Sequence, residues 1–253
     1  MSGAILRFGT SLGRQAIELC WPCPCVSCGL FVGALLCAPC RGTLVRHGGL
    51  RCRLCDDASA APLCGRCRQR RPRLLSGARG VYRYEGAIKR AILAGKNDGQ
   101  ERLWPLVARL MGADPEARAL AHAADALVPI PLAPHRRMSR GYNPSALLAY
   151  ALSRLWHRPV AHLLACGGAP NRAPQSRLGA AARQQAAQGA FVPVRPGACA
   201  PGGRLLLVDD VITTGATLHA AAQALMLMGA HTLTAVALAR QTREHGARAP
   251  TPL

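Results

Sequence analysis

Leu205-Leu206-Leu207-Val208-Asp209-Asp210-Val211-Ile212-Thr213-Thr214-Gly215-Ala216-Thr217 carries four apolar residues straight into two acids, then into a turn of small residues. A short apolar run bounded by a turn reads as a buried strand, here 204–208. Ligands of an open parallel sheet sit beyond the carboxyl ends of its strands, and Asp209 and Asp210 fall at that edge. Residues 213–217 lead into the next helix, where free N–H groups and the helix dipole favour a phosphate. Thr213, Thr214 and Thr217 add hydroxyls; Gly215, followed by Ala216, lets the backbone approach closely. Two carboxylates beside a phosphate site can accept hydrogen bonds from the two hydroxyls of a ribose. The stretch is therefore expected to cradle a ribose 5-phosphate. A nucleoside-triphosphate strand also ends in acids, but no G-x-x-x-x-G-K-[ST] is present, and the dinucleotide fingerprint G-x-G-x-x-G is absent too. Helix capping alone explains one aspartate, not two acids with three threonines.

Outward from this stretch the chain alternates strands and helices. Strands are expected at 80–86, 125–131, 158–164, 204–208 and 231–239. Helices are expected at 87–94, 101–111, 143–156 and 215–228, the third with Asn143 as N-cap and Pro144 in its first turn. Residues 169–190 are polar and read as a loop with a short helix. This pattern predicts an α/β fold with a parallel sheet flanked by helices.

The N-terminal part is different. Ten of the 12 cysteines lie within the first 67 residues, and eight form the pairs Cys25/Cys28, Cys37/Cys40, Cys52/Cys55 and Cys64/Cys67. The spacing C-x2-C-x8-C-x2-C occurs twice, and two such knuckles complete a closed S4 site suited to zinc. Two structural zinc ions are expected. Nearest-neighbour pairing is the simplest arrangement, although spacing alone leaves the sharing of pairs open. Cys20 and Cys23 read as extra thiols, and Cys166 and Cys199 as small buried hydrophobes.

The formal charge is +20, and Lys89 and Lys96 are the only lysines among 32 basic residues. Eight thiolates and two zinc ions would bring this to about +16, which still favours anionic partners such as nucleic acid or phosphates. Arg41, Arg46, Arg51, Arg53, Arg66, Arg68, Arg70, Arg71 and Arg73 face only Asp56 and Asp57 in this region. They read equally as a phosphate-backbone grip and as a solvated basic surface. No apolar run is long enough to predict a transmembrane helix, and the first residues lack the pattern of a secretory leader, so a cytoplasmic location is expected.

These features together resemble the ComF/GntX family, a double zinc ribbon followed by a type I phosphoribosyltransferase-like domain. The ribbon is expected over residues 20–70 and the second domain over 78–241. The resemblance rests on the cysteine pairs, the Asp209–Thr217 motif, "YEGAIKRAILAGK" (84–96), "VPIPLAPHRRMSRGYNPSALLA" (128–149) and "PQSRLGAAARQQAAQGAF" (174–191). It implies binding of phosphoribosyl pyrophosphate (PRPP) with Mg²⁺, with Asp209 and Asp210 as the catalytic pair on the ribose. Thr213, Thr214, Gly215, Ala216 and Thr217 would hold the phosphate, with Lys96, Arg136, Arg140, Asn143, Arg172 and Gln175 as secondary candidates. A role in DNA uptake or nucleotide metabolism is implied as well, with phosphoribosyl transfer to an acceptor as the enzymatic form. The alternative is a non-catalytic accessory that binds single-stranded DNA beside a helicase-like competence protein. Two positions depart from the family pattern: Pro144 stands where a glutamine is usual, and Ala186 where an asparagine is frequent.

Overall fold

A computed structural model describes residues 23–69, 74–167, 190–194 and 203–241. The two cysteine copies fold alike, offset by 27 residues from Cys25 to Cys52. In each, the residue after the second cysteine turns left-handed, at φ +77° for Gly29 and +59° for Asp56. Their N–H groups donate to the carbonyls of Cys25 and Cys52, both at 2.8 Å. Isolated bridges Pro24–Phe31 and Arg51–Ala58 repeat the equivalence. Each second cysteine pair opens a short helix, α1 (Ala38–Gly42) and α2 (Gly65–Gln69).

The remaining described residues form β1 (Gly77–Arg83), α3 (Gly86–Asn97), α4 (Leu103–Gly112), α5 (Pro115–His122) and β2 (Ala126–Pro129). Then come α6 (Pro134–Arg140), α7 (Pro144–Trp156), β3 (Leu164–Cys166), β4 (Phe191–Pro193), β5 (Arg204–Ile212), α8 (Ala216–Met226) and β6 (Thr232–Arg240). Four strands make an all-parallel sheet in the order β1-β6-β5-β2. A parallel sheet must be covered on both faces. Leu206, Val208, Val236 and Leu238 pack with α3, α4, α5 and α7, while Leu205, Leu207, Leu233 and Ala235 pack with α8 and β3. The central strands β5 and β6 are consequently almost continuous runs of Leu, Val and Ala.

Neither sheet edge is left open. Arg83 N–H donates to Val45 O at 2.8 Å, and Arg46 bridges Tyr82, so the segment between the cysteine clusters lies antiparallel on β1. On the other side, Leu127 N–H donates to Pro159 O and Ala161 N–H to Leu127 O. The strand expected at 158–164 is thus replaced by one parallel bridge at Val160, followed by β3, which pairs antiparallel with β4. Strand β5 is longer than expected. Its partner β6 continues to Arg240, so pairing runs through Asp209↔Ala237 to Ile212↔Arg240. Helices α5 and α6, with Pro115 and Pro134 in their first turns, are additions to the expected set.

Buried charge joins the cysteine-bearing segment to the sheet. Asp56, Asp57, Asp114, Arg79 and Arg240 are all buried. Arg79 makes a bidentate pair with Asp114, Nε to Oδ1 at 3.2 Å and Nη2 to Oδ2 at 2.9 Å. Arg46 reaches the same carboxylate at 3.0 Å. Arg51 and Arg66 pair with Asp56 and Asp57 at 3.0 and 2.9 Å, and Arg240 approaches Asp57 at 3.5 Å. The Gly80 N–H donates to Asp56 Oδ2 at 2.6 Å. Arg46, Arg51 and Arg66 are therefore paired with carboxylates, which neither of the two readings of this basic stretch anticipated. Arg70, Arg71 and Arg73 of that set lie outside the described residues.

Burial opposes ionisation of Asp114, but the Arg79 hydrogen bonds and the Ala117 N–H hold its carboxyl below the ordinary value. Asp114→Asn keeps the helix cap but takes from Arg79 its bidentate carboxylate, leaving Glu116 at 3.0 Å as the remaining close counter-charge, so it is expected to cost about 3 kcal/mol. A depressed carboxyl stabilises fully above its unfolded value and loses that contribution as pH falls through the folded one. Denaturant titrations should show the full wild-type advantage at pH 7 and a shrinking one below the ordinary value of 3.8.

Candidate ribose-phosphate site and zinc centres

Strand β5 delivers two acids to different partners. Asp210 is buried and accepts from Lys96 Nζ at 2.5 Å, Lys96 lying in the last turn of α3. Asp209 Oδ1 accepts from its neighbour's N–H, that of Asp210, at 2.9 Å and from Ser145 Oγ at 3.0 Å. Burial pushes the Asp209 carboxyl up to about 7, and the adjacent Asp210 charge pushes the same way. Lys96, the Asp210 N–H and Ser145 pull against that rise. The Lys96 ammonium lies against Asp210 and offsets negative charge at the acid pair.

After β5 the chain turns through Gly215, left-handed at φ +76°, which serves as N-cap of α8. Thr214 Oγ1 accepts from the Ala216 N–H at 3.2 Å, closing the turn. Thr213 is exposed, and Thr214, Gly215, Ala216 and Thr217 are partly exposed. The loop therefore places first-turn N–H groups of α8 beyond the acid pair.

Segment 142–145 ties the pieces together. Tyr142 Oη donates to Gly95 O, beside Lys96. Gly95 backs onto Trp104, whose ring a Cβ would meet at 2.8 Å. Asn143 is used at both ends: its amide donates to Ile130 O at 2.9 Å, beyond β2, and its Oδ1 accepts from the Ser145 N–H at 3.1 Å. Asn143 is in this way a cap that holds α7 against β2. Ser145 is the residue that sequence reasoning missed. A serine inside a helical pattern gives no signal, and only the packing of α7 on β5 brings it to Asp209.

Of the other candidates, Arg136 is exposed and Arg140 partly exposed on α6, and neither has a carboxylate partner among the described residues. Arg172 and Gln175 lie outside the described residues, as does Ala186. Pro144 is buried at the start of α7.

The cysteines resolve into the nearest-neighbour sets Cys25, Cys28, Cys37, Cys40 and Cys52, Cys55, Cys64, Cys67, each with its sulfurs within 4.8 Å of one another. A tetrahedron with Zn–S near 2.3 Å has S···S edges of about 3.8 Å. Cys28–Cys37 is 3.8 Å and Cys55–Cys64 is 3.7 Å, so both sets fit the ion and could hold it as structural zinc. Burial pushes the Cys25 and Cys52 thiols up, yet backbone N–H groups outweigh it and lower them to about 6 and about 7. Backbone donors aimed at the sulfurs are what a thiolate cluster requires. Cys23 is a free thiol outside both sets.

Over 200 residues the chain is 30% identical to competence protein ComFC of Bacillus subtilis (strain 168), covering 77% of this chain and 79% of that protein. It belongs to the ComF family. Within the family it is also 29% identical over 240 residues to DNA utilization protein YhgH of Salmonella typhimurium, covering 88% of this chain and 96% of the relative. Competence protein F of Haemophilus influenzae matches at 34% over 116 residues, covering 46% of this chain and 50% of that protein. No protein-family model matches the chain. No helix among the described residues is long and apolar enough to cross a membrane.

Native mass spectrometry of this ComF-family chain should find two zinc ions, and Cys52→Ser should remove one. The second cluster anchors Asp56 and Asp57 against Arg79 and Arg240, whereas the first contributes no carboxylate to that network. Loss of the Cys52 site is therefore expected to lower the melting temperature of the whole chain more than loss of the Cys25 site by Cys25→Ser.

Proposed function

We infer that this chain binds PRPP, or a related ribose 5-phosphate ligand, and that it serves the handling of incoming DNA. The observation that carries the first part is the acid pair of β5 followed by the left-handed Gly215 turn into α8. Asp209 and Asp210 would accept hydrogen bonds from the ribose hydroxyls, and the Thr213–Thr217 loop would donate to the 5′-phosphate. Lys96 lies against Asp210, close enough to exchange that carboxylate for the pyrophosphate. Mg²⁺, when bound, would neutralise the pyrophosphate and assist its departure. Transfer to an acceptor would need no protein nucleophile, since positioning and electrostatics can stabilise an oxocarbenium-like centre. The second part draws on the relatives, named as competence and DNA utilization proteins.

Calorimetry of Mg–PRPP with the zinc-loaded chain tests the site. The parent is expected to bind, and Asp209→Asn/Asp210→Asn to weaken binding about a hundredfold or more, since hydrogen bonds to charged groups contribute about 1.5–3 kcal/mol each. A parent that does not bind, or a double variant that binds equally, would overturn the reading.

The reading as a single-stranded DNA accessory is supported by α6. His135, Arg136, Arg137 and Arg140 lie within one short helix, with no carboxylate partner among the described residues. If α6 grips the phosphate backbone, Arg136→Glu/Arg137→Glu should flatten the log Kd against log salt slope by about 1.4, at about 0.7 per phosphate contact. Fluorescence anisotropy with a labelled oligonucleotide reads this directly, and an unchanged slope would remove α6 from the interface.

A further inference from the structure

Asp209 has two carboxylate oxygens, and the chain treats them differently. Oδ1 accepts from the Asp210 N–H at 2.9 Å and from Ser145 Oγ at 3.0 Å. Oδ2 has no protein donor among the described residues. Ser145 is buried, with 4% of its surface exposed, and its own N–H is taken by the Asn143 cap. Its hydroxyl therefore has a fixed backbone, a fixed neighbour and one acceptor. We propose that Ser145 is a positioning residue for the ribose-phosphate site, holding Asp209 Oδ1 so that Oδ2 is presented to a ribose hydroxyl. This rests on the ribose-phosphate reading for the identity of the ligand, but not for the state of Asp209 itself.

The sequence context gives the inference its edge. Pro144 directly precedes Ser145. It is buried in the first turn of α7 and has no polar side-chain atom to offer. The hydroxyl one residue later points to the acid pair, so the α7 N-terminus supplies its polar contact through Ser145. Tyr142 and Asn143 immobilise the same segment by binding Gly95 O and Ile130 O. A hydroxyl on so restrained a segment can select one orientation of Asp209.

Charged and titratable groups around Asp209 are few. Asp210 lies beside it on β5, and Lys96 approaches from α3. Tyr84, just after β1, senses Lys96 and Asp210 in turn. A donated hydrogen bond favours the ionised carboxylate. Removing it must push the Asp209 carboxyl further in the direction that burial already pushes it, upward.

The experiment has two arms on the zinc-loaded full chain. In the first, ¹³C NMR follows the Asp209 carboxyl carbon, assigned by its loss in Asp209→Asn, through a pH titration without ligand. Ser145→Ala is expected to move the midpoint upward by about 0.5–1 pH unit, and an unchanged or lowered midpoint would overturn the proposal. In the second, calorimetry measures Mg–PRPP binding from pH 6 to pH 9. Ser145→Ala is expected to weaken binding about two- to fivefold near pH 7, with the gap closing as both forms of Asp209 ionise by pH 9. A loss of equal size at every pH would mark a packing role only and overturn the proposal. If the parent binds no PRPP at any pH, the ligand reading fails, and the NMR arm still decides what Ser145 does to Asp209.

Discussion

A carboxylate taken out of water must be met by donors, and in this chain the requirement falls on Asp56 and Asp57. Both sit directly after the knuckle Cys52–Cys55, and both are buried against strands of the sheet. A left-handed residue is needed after the second cysteine of each first knuckle. The first copy uses Gly29 there, and the second uses Asp56. Aspartate tolerates that conformation better than most residues, and its carboxylate then accepts the Gly80 N–H of β1. Gly80 in turn must lack a side chain, because a Cβ would lie 2.4 Å from the Cβ of Arg240. One turn of chain thus connects the second cysteine cluster to the two strands on that side of the sheet. Buried ion pairs seldom add much stability over apolar packing, but they are costly to break and tolerate few alternative arrangements. The network accordingly sets where the cysteine-bearing segment lies, while the apolar layers supply most of the driving force.

What the sequence made legible follows from strength of pattern. Repeated cysteine spacing named both clusters, and the nearest-neighbour sets are the ones the fold assembles. Buried runs such as 205–208 and 233–239 announced the central strands, and Asn143 with Pro144 announced α7. Arginines were harder. Arg46, Arg51 and Arg66 stand in a basic stretch that reads as open surface, and only the fold shows them meeting Asp114, Asp56 and Asp57. A charge carries no periodic signature of its partner when that partner is 68 residues away, as for Arg46 and Asp114. The same holds for Ser145 and Asp209. The extent of β5 failed for a related reason: two acids look like a strand end, yet β6 continues to pair beyond them.

The candidate site depends on a segment with no charge of its own. Tyr142, Asn143 and Ser145 each reach a different piece of the fold, at α3, beyond β2 and on β5. They do so because α7 begins there, with the cap and the proline setting its direction. Side chains in the first turn of a helix are held more rigidly than those of a loop. An acid pair needs that rigidity, since two neighbouring carboxylates repel and would otherwise splay. Each end of the Asn143 amide makes one bond within the protein, so its side chain holds α7 against β2.

Lys96 and Asp210 define the state of the site without ligand. Their contact at 2.5 Å satisfies a buried carboxylate that would otherwise be unpaired. A ligand bearing only hydroxyl groups could not release Lys96, because a neutral donor is a poor substitute for an ammonium in a low-dielectric setting. A ligand bearing both hydroxyls and a polyanionic group could. The hydroxyls would take over Asp210 while the anion took over Lys96, and the number of satisfied charges would be conserved. On the ribose-phosphate reading, the ion pair would discriminate against simple sugars and nucleosides and would favour a phosphorylated ribose whose anionic group reaches Lys96. Selectivity would then come from a contact made within the protein before any ligand arrives.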